Sequence, residues 1–157
     1  MPKTSSKLVL SPVDLDCLAR ALKLDELLCD KPALEKLISS LPLISLEAWP
    51  QGSEIVRQGE RGEDLFVVYS GRLSVWHKGR AAPLCQVGTL KPGDFFGEIG
   101  FLLKAGRTAT VRCEEECRIF HFPAKEFASL LTREKLLERW VQQVACQRLA
   151  RMFSPEP

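Results

Sequence analysis

The spacing of apolar residues changes twice along this chain. In the first stretch it is helical: Leu15, Leu18, Ala19, Leu22 and Leu27 form a stripe. Ser11-Pro12 supplies the start signal, and Asp14 and Asp16 fall in the first turn, where carboxylates favour the helix dipole. Asp30-Lys31-Pro32 breaks the pattern. A shorter helix through Leu34, Leu37 and Ile38 follows, and Leu41-Pro42 ends it. N-terminal helices are therefore expected over 11–42, with residues 1–10 as a flexible lead.

From Leu43 the apolar residues come in short bursts: Leu43 to Trp49, Glu54 to Arg57, Leu65 to Tyr69, Arg72 to Trp76 and Leu84 to Leu90. Thr108 to Arg112 and Cys117 to Phe122 add two more. Turns rich in glycine separate them, at Gly52, Gly59 to Gly62, Gly71, Gly79 and Gly93. Many short strands at this spacing predict an antiparallel sandwich or jelly roll over 43–122. At Pro123 the helical period returns, with proline at the first helical position and a helix through Phe127 to Leu131. Thr132 is expected to cap a second helix, from Arg133 to about Phe153. Its residues Leu136, Leu137, Trp140, Val141, Val144, Ala145 and Met152 share one side at about 100° per residue. Arg148 projects onto the middle of that apolar side, while Arg139 points away. Two C-terminal helices thus fill 123–153, and 154–157 form a tail. The fold class is α+β, mainly β: an antiparallel jelly roll flanked by N-terminal helices and two C-terminal ones.

Composition narrows the function only by exclusion. At 157 residues, 45% of them hydrophobic, the chain is long enough for one domain with a real core. A net charge of +2 is too small to imply a nucleic-acid partner. No apolar run is long enough to insert into a membrane, and no signal-peptide core follows the N-terminus, so the expected address is cytoplasmic. The six cysteines (Cys17, Cys29, Cys85, Cys113, Cys117 and Cys146) form no CxxC pair. They read as reduced, mostly buried thiols. The two histidines, His77 in a turn and His121 in a late strand, are too few for a metal enzyme of cupin type, and no metal is expected. No nucleophile–base arrangement is present, so no catalytic residue is assigned and the chain is read as a non-enzyme.

Chemistry concentrates in 94–111. Gly93 and Gly97 bracket a segment anchored by Phe95, Phe96, Ile99, Phe101 and Leu102. Glu98 lies among apolar neighbours and, if buried, must find donors or a cation. Arg107 leads directly into Thr108-Ala109-Thr110-Val111, which fixes its base on a strand. Taken alone, Glu98 and Arg107 read first as a structural ion pair. A guanidinium on a rigid strand beside a short helical turn also suits a phosphate, and a carboxylate nearby suits sugar hydroxyls.

The run Phe96-Gly97-Glu98-Ile99-Gly100, followed by Arg107-Thr108-Ala109-Thr110-Val111, resembles the phosphate-binding cassette of the cyclic-nucleotide-binding domain family. Gly52-Ser53-Glu54-Ile55, Gly59-Glu60, Phe66 to Val75 around Gly71, and Phe127 to Leu131 extend the resemblance to about residues 32 to 153. It implies that Arg107 pairs with the exocyclic phosphate oxygens, helped by the Thr108 hydroxyl and the Ala109 N–H. It implies that Glu98 accepts the ribose 2′-OH, that Gly97, Ile99 and Gly100 let backbone close in, and that Leu90 touches the base. From Arg107 to Met152 the chain is similar, without a gap, to the domains of hyperpolarisation-activated channels. There the last helix is a lid that presents arginines to the purine, at the positions of Arg148 and Arg151. Two departures are visible: Gly106 where the family often has proline, and Gly100 where it often has alanine.

The resemblance implies a sensor for cAMP, ahead of cGMP, that signals by closure of its last helix to a protein effector in cis or trans. The alternative is a nucleotide-independent adaptor on the same fold. The last helix, with five basic residues against two acidic ones, is also a candidate homodimer seam. The catabolite activator group joins this roll to a helix-turn-helix, and no such segment is expected between the last helix and Pro157.

Overall fold

The computed structural model describes residues 6–8, 11–23, 44–104 and 106–153. The first helix, α1 (Pro12–Ala21), starts where the sequence places it: Ser11 caps it and its hydroxyl accepts the Asp14 N–H at 3.3 Å. The Asp14 carboxylate accepts the Ser11 N–H in return at 2.8 Å, so two of the helix's orphan donors are satisfied reciprocally. The expected helix around Leu34 to Ile38, and Leu27 of the first stripe, lie outside the described residues. Ser6–Leu8, expected to be loose, is instead a short strand, β1, antiparallel to β2 (Ser45–Trp49).

The remaining strands are β3 (Glu54–Val56), β4 (Leu65–Ser70), β5 (Leu73–Lys78), β6 (Leu84–Leu90), β7 (Phe95–Phe96), β8 (Thr110–Cys113) and β9 (Cys117–Phe122). Among the described residues they make two sheets, one ordered β1-β2-β9-β4-β7 and one ordered β3-β8-β5-β6. The pairings are antiparallel, as expected of a jelly roll. His77 lies within β5 rather than in a turn, and the strand expected at Thr108 begins two residues later.

The apolar run Leu65-Phe66-Val67-Val68 does not alternate with polar residues because its strand is buried on both faces. Leu65 and Val67 join Phe120, Phe122, Phe127, Leu130, Leu137 and Val141 in a core between the five-stranded sheet and the helices. Phe66 and Val68 point the other way, into the roll, with Trp49, Ile55, Leu73, Val111 and Ile119. The result is three layers, helices on sheet on sheet.

After a six-residue helix, α2 (Glu98–Leu103), the chain ends in α3 (Ala124–Arg133) and α4 (Lys135–Phe153). Pro123 is the N-cap of α3 rather than its first residue. Thr132 caps nothing: its hydroxyl donates to the Ala128 carbonyl one turn back, at 2.9 Å. Phe127 of α3 meets Phe101 of α2 edge-on, with ring centres 5.0 Å apart, and is fully buried. Its truncation to alanine would cost about 3–5 kcal/mol. Of the described cysteines, Cys113 and Cys117 are buried, Cys17 is half-buried, and Cys85 and Cys146 are exposed, so the expectation of mostly buried thiols holds only for the two on β8 and β9.

Candidate functional site

Gly97 takes a left-handed conformation (φ 95°), which turns the chain out of β7 and into α2. The turn places Glu98 at the start of the helix with its side chain inward, 2% exposed. Arg107 approaches from the far end of the segment. Its backbone is clamped to the loop between β3 and β4: Arg107 N–H donates to the Glu60 carbonyl, and Gly59 N–H to the Arg107 carbonyl, both at 2.8 Å. The Thr108 carbonyl accepts from His77 Nδ1 at 2.8 Å, and the Thr110 hydroxyl accepts the Gln58 N–H at 3.0 Å. The base of Arg107 is therefore fixed from both sides before any ligand is considered.

The guanidinium lies in a cradle of glycines. A Cβ on Gly62 would come within 2.8 Å of Arg107 Nε, and one on Gly97 within 2.9 Å of Nη1. Gly100, the first departure from the family pattern, would place a Cβ 2.8 Å from the Gly62 carbonyl. The second, Gly106, has φ 95°, a value closed to proline, so the turn into Arg107 takes another path. Arg107 is 8% exposed, and Nη1 donates to the Gly97 carbonyl at 3.2 Å. Burial pulls its pKa below the ordinary arginine value, opposed by the carboxylates of Asp64, Glu98, Glu60 and Glu63. The group remains a cation in any case.

Glu98 is ion-paired, but with Arg148 rather than Arg107. Arg148 Nη1 lies 2.8 Å from Glu98 Oε1, and the guanidinium carbon sits 5.0 Å above the Phe95 ring. This answers the puzzle of an arginine on an apolar helix face: its acceptor is a buried carboxylate of the chain itself, and Phe95 supplies an aromatic face. Trp140 contacts Phe95 edge-on at 5.1 Å, so α4 grips β7 through two side chains.

A cavity of about 320 Å³ lies between these elements. Every residue expected from the sequence to form the site lines it: Leu90 from β6, Gly97, Glu98, Ile99 and Gly100 from the start of α2, Arg107, Thr108 and Ala109 ahead of β8, and Arg148 and Arg151 from α4. Sequence reasoning missed others. Gln147 and Met152 complete the α4 wall, and their signal was available, because Val144, Gln147, Arg148, Arg151 and Met152 follow i, i+3, i+4, i+7, i+8 spacing. Val75, Val87 and Thr89 come from the β5–β6 hairpin, and Gly62 backs Arg107 from behind. The cavity lining thus includes a fixed cation, Arg107, and the first residues of α2. The same lining carries the Glu98 carboxylate, apolar side chains from the β5–β6 hairpin, and two further arginines on α4. That set of surfaces suits a ligand with an anionic group, hydroxyls and a flat apolar ring. Among the described residues no cluster of His, Cys, Asp and Glu could hold a metal, and no helix is long and apolar enough to cross a membrane.

The family model of the cyclic nucleotide-binding domain matches residues 46–134. Among curated proteins, the potassium/sodium hyperpolarization-activated cyclic nucleotide-gated channel 2 of Mus musculus is 29% identical over 132 residues, covering 74% of this chain. The chain spans only 15% of that channel's length. Among solved structures, a cyclic nucleotide-binding domain from Methylobacillus flagellatus has a TM-score of 0.72 at 15% identity, covering 95% of this chain and 83% of its own. The regulatory domain of Toxoplasma gondii PKA, solved with cAMP, has a TM-score of 0.64 at 26% identity, covering 77% of this chain and 46% of its own.

Proposed function

The chain belongs to the cyclic nucleotide-binding domain family, and from that premise we propose that its cavity binds a cyclic nucleotide, cAMP ahead of cGMP, and signals through α4. The observation that carries the reading is convergence: residues from four separate parts of the chain meet in one cavity and bring it a cation, a carboxylate and an apolar wall. Arg107 takes the exocyclic phosphate oxygens, with the Thr108 hydroxyl, the Ala109 N–H and the first N–H groups of α2 around them. Glu98 accepts the ribose 2′-OH. Leu90 and the hairpin valines pack on one face of the base, and α4 brings Arg148 and Arg151 to the other. The solved relative with cAMP supports this reading by likeness.

Glu98 links sugar to lid. Its Oε1 already holds Arg148, so the hydroxyl and the lid arginine share one carboxylate. A ligand that fixes Glu98 thereby changes the seating of α4, to the extent that it binds the two seatings differently. The preference for cAMP rests on Arg148 and Arg151, which resemble channel members that favour it. Thr108 argues the other way, since it suits a guanine contact. The chain acts as a binding module rather than an enzyme, and its output passes to a protein effector in cis or trans, or to a second copy through α4.

The adaptor reading has one observation in its favour: the buried Glu98 finds a cation within the chain itself, in Arg148 at 2.8 Å. Calorimetric titration with cAMP and cGMP separates the two readings. The sensor binds, prefers cAMP, and loses about a hundredfold or more in affinity on Arg107→Ala, the worth of two charge-assisted hydrogen bonds. Glu98→Ala weakens binding as well. Parent-like binding by both variants refutes the assigned site, and absence of binding with no rise in melting temperature favours the adaptor.

A further inference from the structure

The inner face of the five-stranded sheet carries charges that the nucleotide site does not use. Along β2, Leu46 packs toward the helices and Trp49 into the roll. Glu47, facing away from Leu46, is turned inward and buried. Along β9, Phe120 and Phe122 join the helix-side core and Ile119 the roll, so His121 also faces the roll. The two meet there. His121 Nδ1 lies 3.2 Å from Glu47 Oε2, and Nε2 lies 2.7 Å from Asp64 Oδ2. The other Asp64 oxygen accepts the N–H of Ala124 at 2.8 Å. Ala124 is the first residue of α3, whose N-cap is a proline with no side-chain hydrogen bond to offer. Asp64, sixty residues away in the chain, therefore does the capping.

A neutral imidazole has one N–H and one lone pair, so it donates to only one of two flanking carboxylates and turns its lone pair on the other. The imidazolium donates to both. Glu47 Oε1 is buried with no hydrogen-bond partner among the described residues, so loss of that charge would leave Glu47 poorly compensated. We propose that Glu47, Asp64 and His121 form a proton-binding site that fastens the start of α3, making the seating of α3 and of the helices packed on it depend on pH. The hydrogen bond to Glu47, ahead of that to Asp64, holds the His121 pKa above the ordinary imidazole value against the pull of burial. Stability from this site is therefore complete below about pH 6.5 and is lost as pH rises through the raised value.

A second consequence rests on the nucleotide reading. His121 stacks on Phe66 at 4.8 Å, Phe66 stacks on Phe96 at 5.1 Å, and the Arg107 guanidinium sits 5.8 Å from the Phe66 ring. A second cavity of about 300 Å³ is lined by His121, Glu47, Asp64 and Arg107, with Arg57, Glu60 and Arg61 from the loop after β3. Proton loss at His121 leaves Glu47 and Asp64 with an uncompensated negative charge behind Arg107, which competes with a phosphate for that cation. Nucleotide affinity is then expected to fall about threefold to tenfold as His121 deprotonates, the range for unit charges about 10 Å apart at intermediate dielectric.

The chain has two histidines, so two imidazole signals report by NMR, and His77→Gln identifies each. The proton site predicts that His121 titrates above about pH 6.5 and that the Ala124 amide shifts with the same midpoint. Asp64→Asn keeps an oxygen for Ala124 N–H but removes one carboxylate, so it lowers the midpoint. A His121 midpoint at or below the ordinary value, or an Ala124 amide that does not follow it, overturns the proposal. Thermal melts of Asp64→Asn and His121→Gln, flatter with pH than the parent, support it. Titration with cAMP at about pH 6 and about pH 8.5 reads the coupling. A parent-like pH dependence in both variants overturns the coupling, and no binding at either pH refutes the nucleotide reading while the NMR arm still decides the proton site.

Discussion

Gly62→Ala separates the binding role of Arg107 from the stability of the fold. Gly62 is not in the left-handed region, so its backbone accepts alanine, and the less flexible unfolded chain favours the variant by about 0.4–1 kcal/mol. The new methyl group, however, would stand 2.8 Å from Arg107 Nε and 2.9 Å from Nη2. The guanidinium must retreat by roughly half an ångström, the difference between 2.8 Å and the 3.4 Å at which ordinary contact begins. It has little room, because Gly97 and Gly100 also lie close against its Nη1. A bidentate pair with a phosphate does not survive that displacement, and one charge-assisted hydrogen bond is worth about 1.5–3 kcal/mol. Affinity for cAMP should fall about tenfold to a hundredfold while the melting temperature stays level or rises slightly. Calorimetry and a thermal melt on the same preparation measure both. A dissociation constant within about twofold of the parent would refute the claim that Arg107 is held in register by the glycine cradle.

Arg148→Ala strands Glu98, which is 2% exposed; Arg148 itself is 26% exposed, so the expected cost is about 2 kcal/mol rather than the 3–5 of a fully buried pair. In a double-mutant cycle with Glu98→Ala the paired variant should lose less than the two singles together, and strict additivity in thermal melts would rule the ion pair out as a stabilising contact. Ser11→Ala removes the cap of α1 and should cost about 1 kcal/mol; an unchanged denaturant midpoint would show that α1 is held by packing alone. Asp14, though raised by partial desolvation, is held below the usual carboxylate pKa by its hydrogen bonds with Ser11. That contribution is present above about pH 4 and is lost as pH falls through the lowered value, and the variant's acid unfolding profile should reflect its loss. Under native conditions an alkylating reagent should modify Cys85 and Cys146 but spare Cys113 and Cys117, since burial pushes both of these thiols up and keeps reagent out. Native-state mass spectrometry finding Cys113 alkylated would contradict the packing of the roll.

Features set by local spacing were legible in the sequence. Ser11 with Asp14 marks a helix start because a capping box spans one turn, and both its members are visible in four residues. The strands of the roll were legible because bursts of apolar residues between glycine turns have few other solutions, and Glu98 and Arg107 because they stand in a recognisable run. The α4 face was half legible: Arg148 was seen on it, but its acceptor was not. That acceptor is fifty residues away, and a helical projection fixes direction without fixing what lies there. The same limit hid the doubly buried face of β4, the two-residue strand Phe95–Phe96, and the pairing of Ser6–Leu8, each of which exists because another element lies alongside. It hid Gly62, whose absent side chain matters only because Arg107 passes over it. It also hid His121, a single polar residue in an apolar strand until Glu47, 74 residues earlier, and Asp64, 57 residues earlier, are folded against it. Periodicity belongs to the backbone and can be read along the chain, whereas the partners of a buried charge belong to the register between strands and the packing of helices, which only the tertiary structure decides.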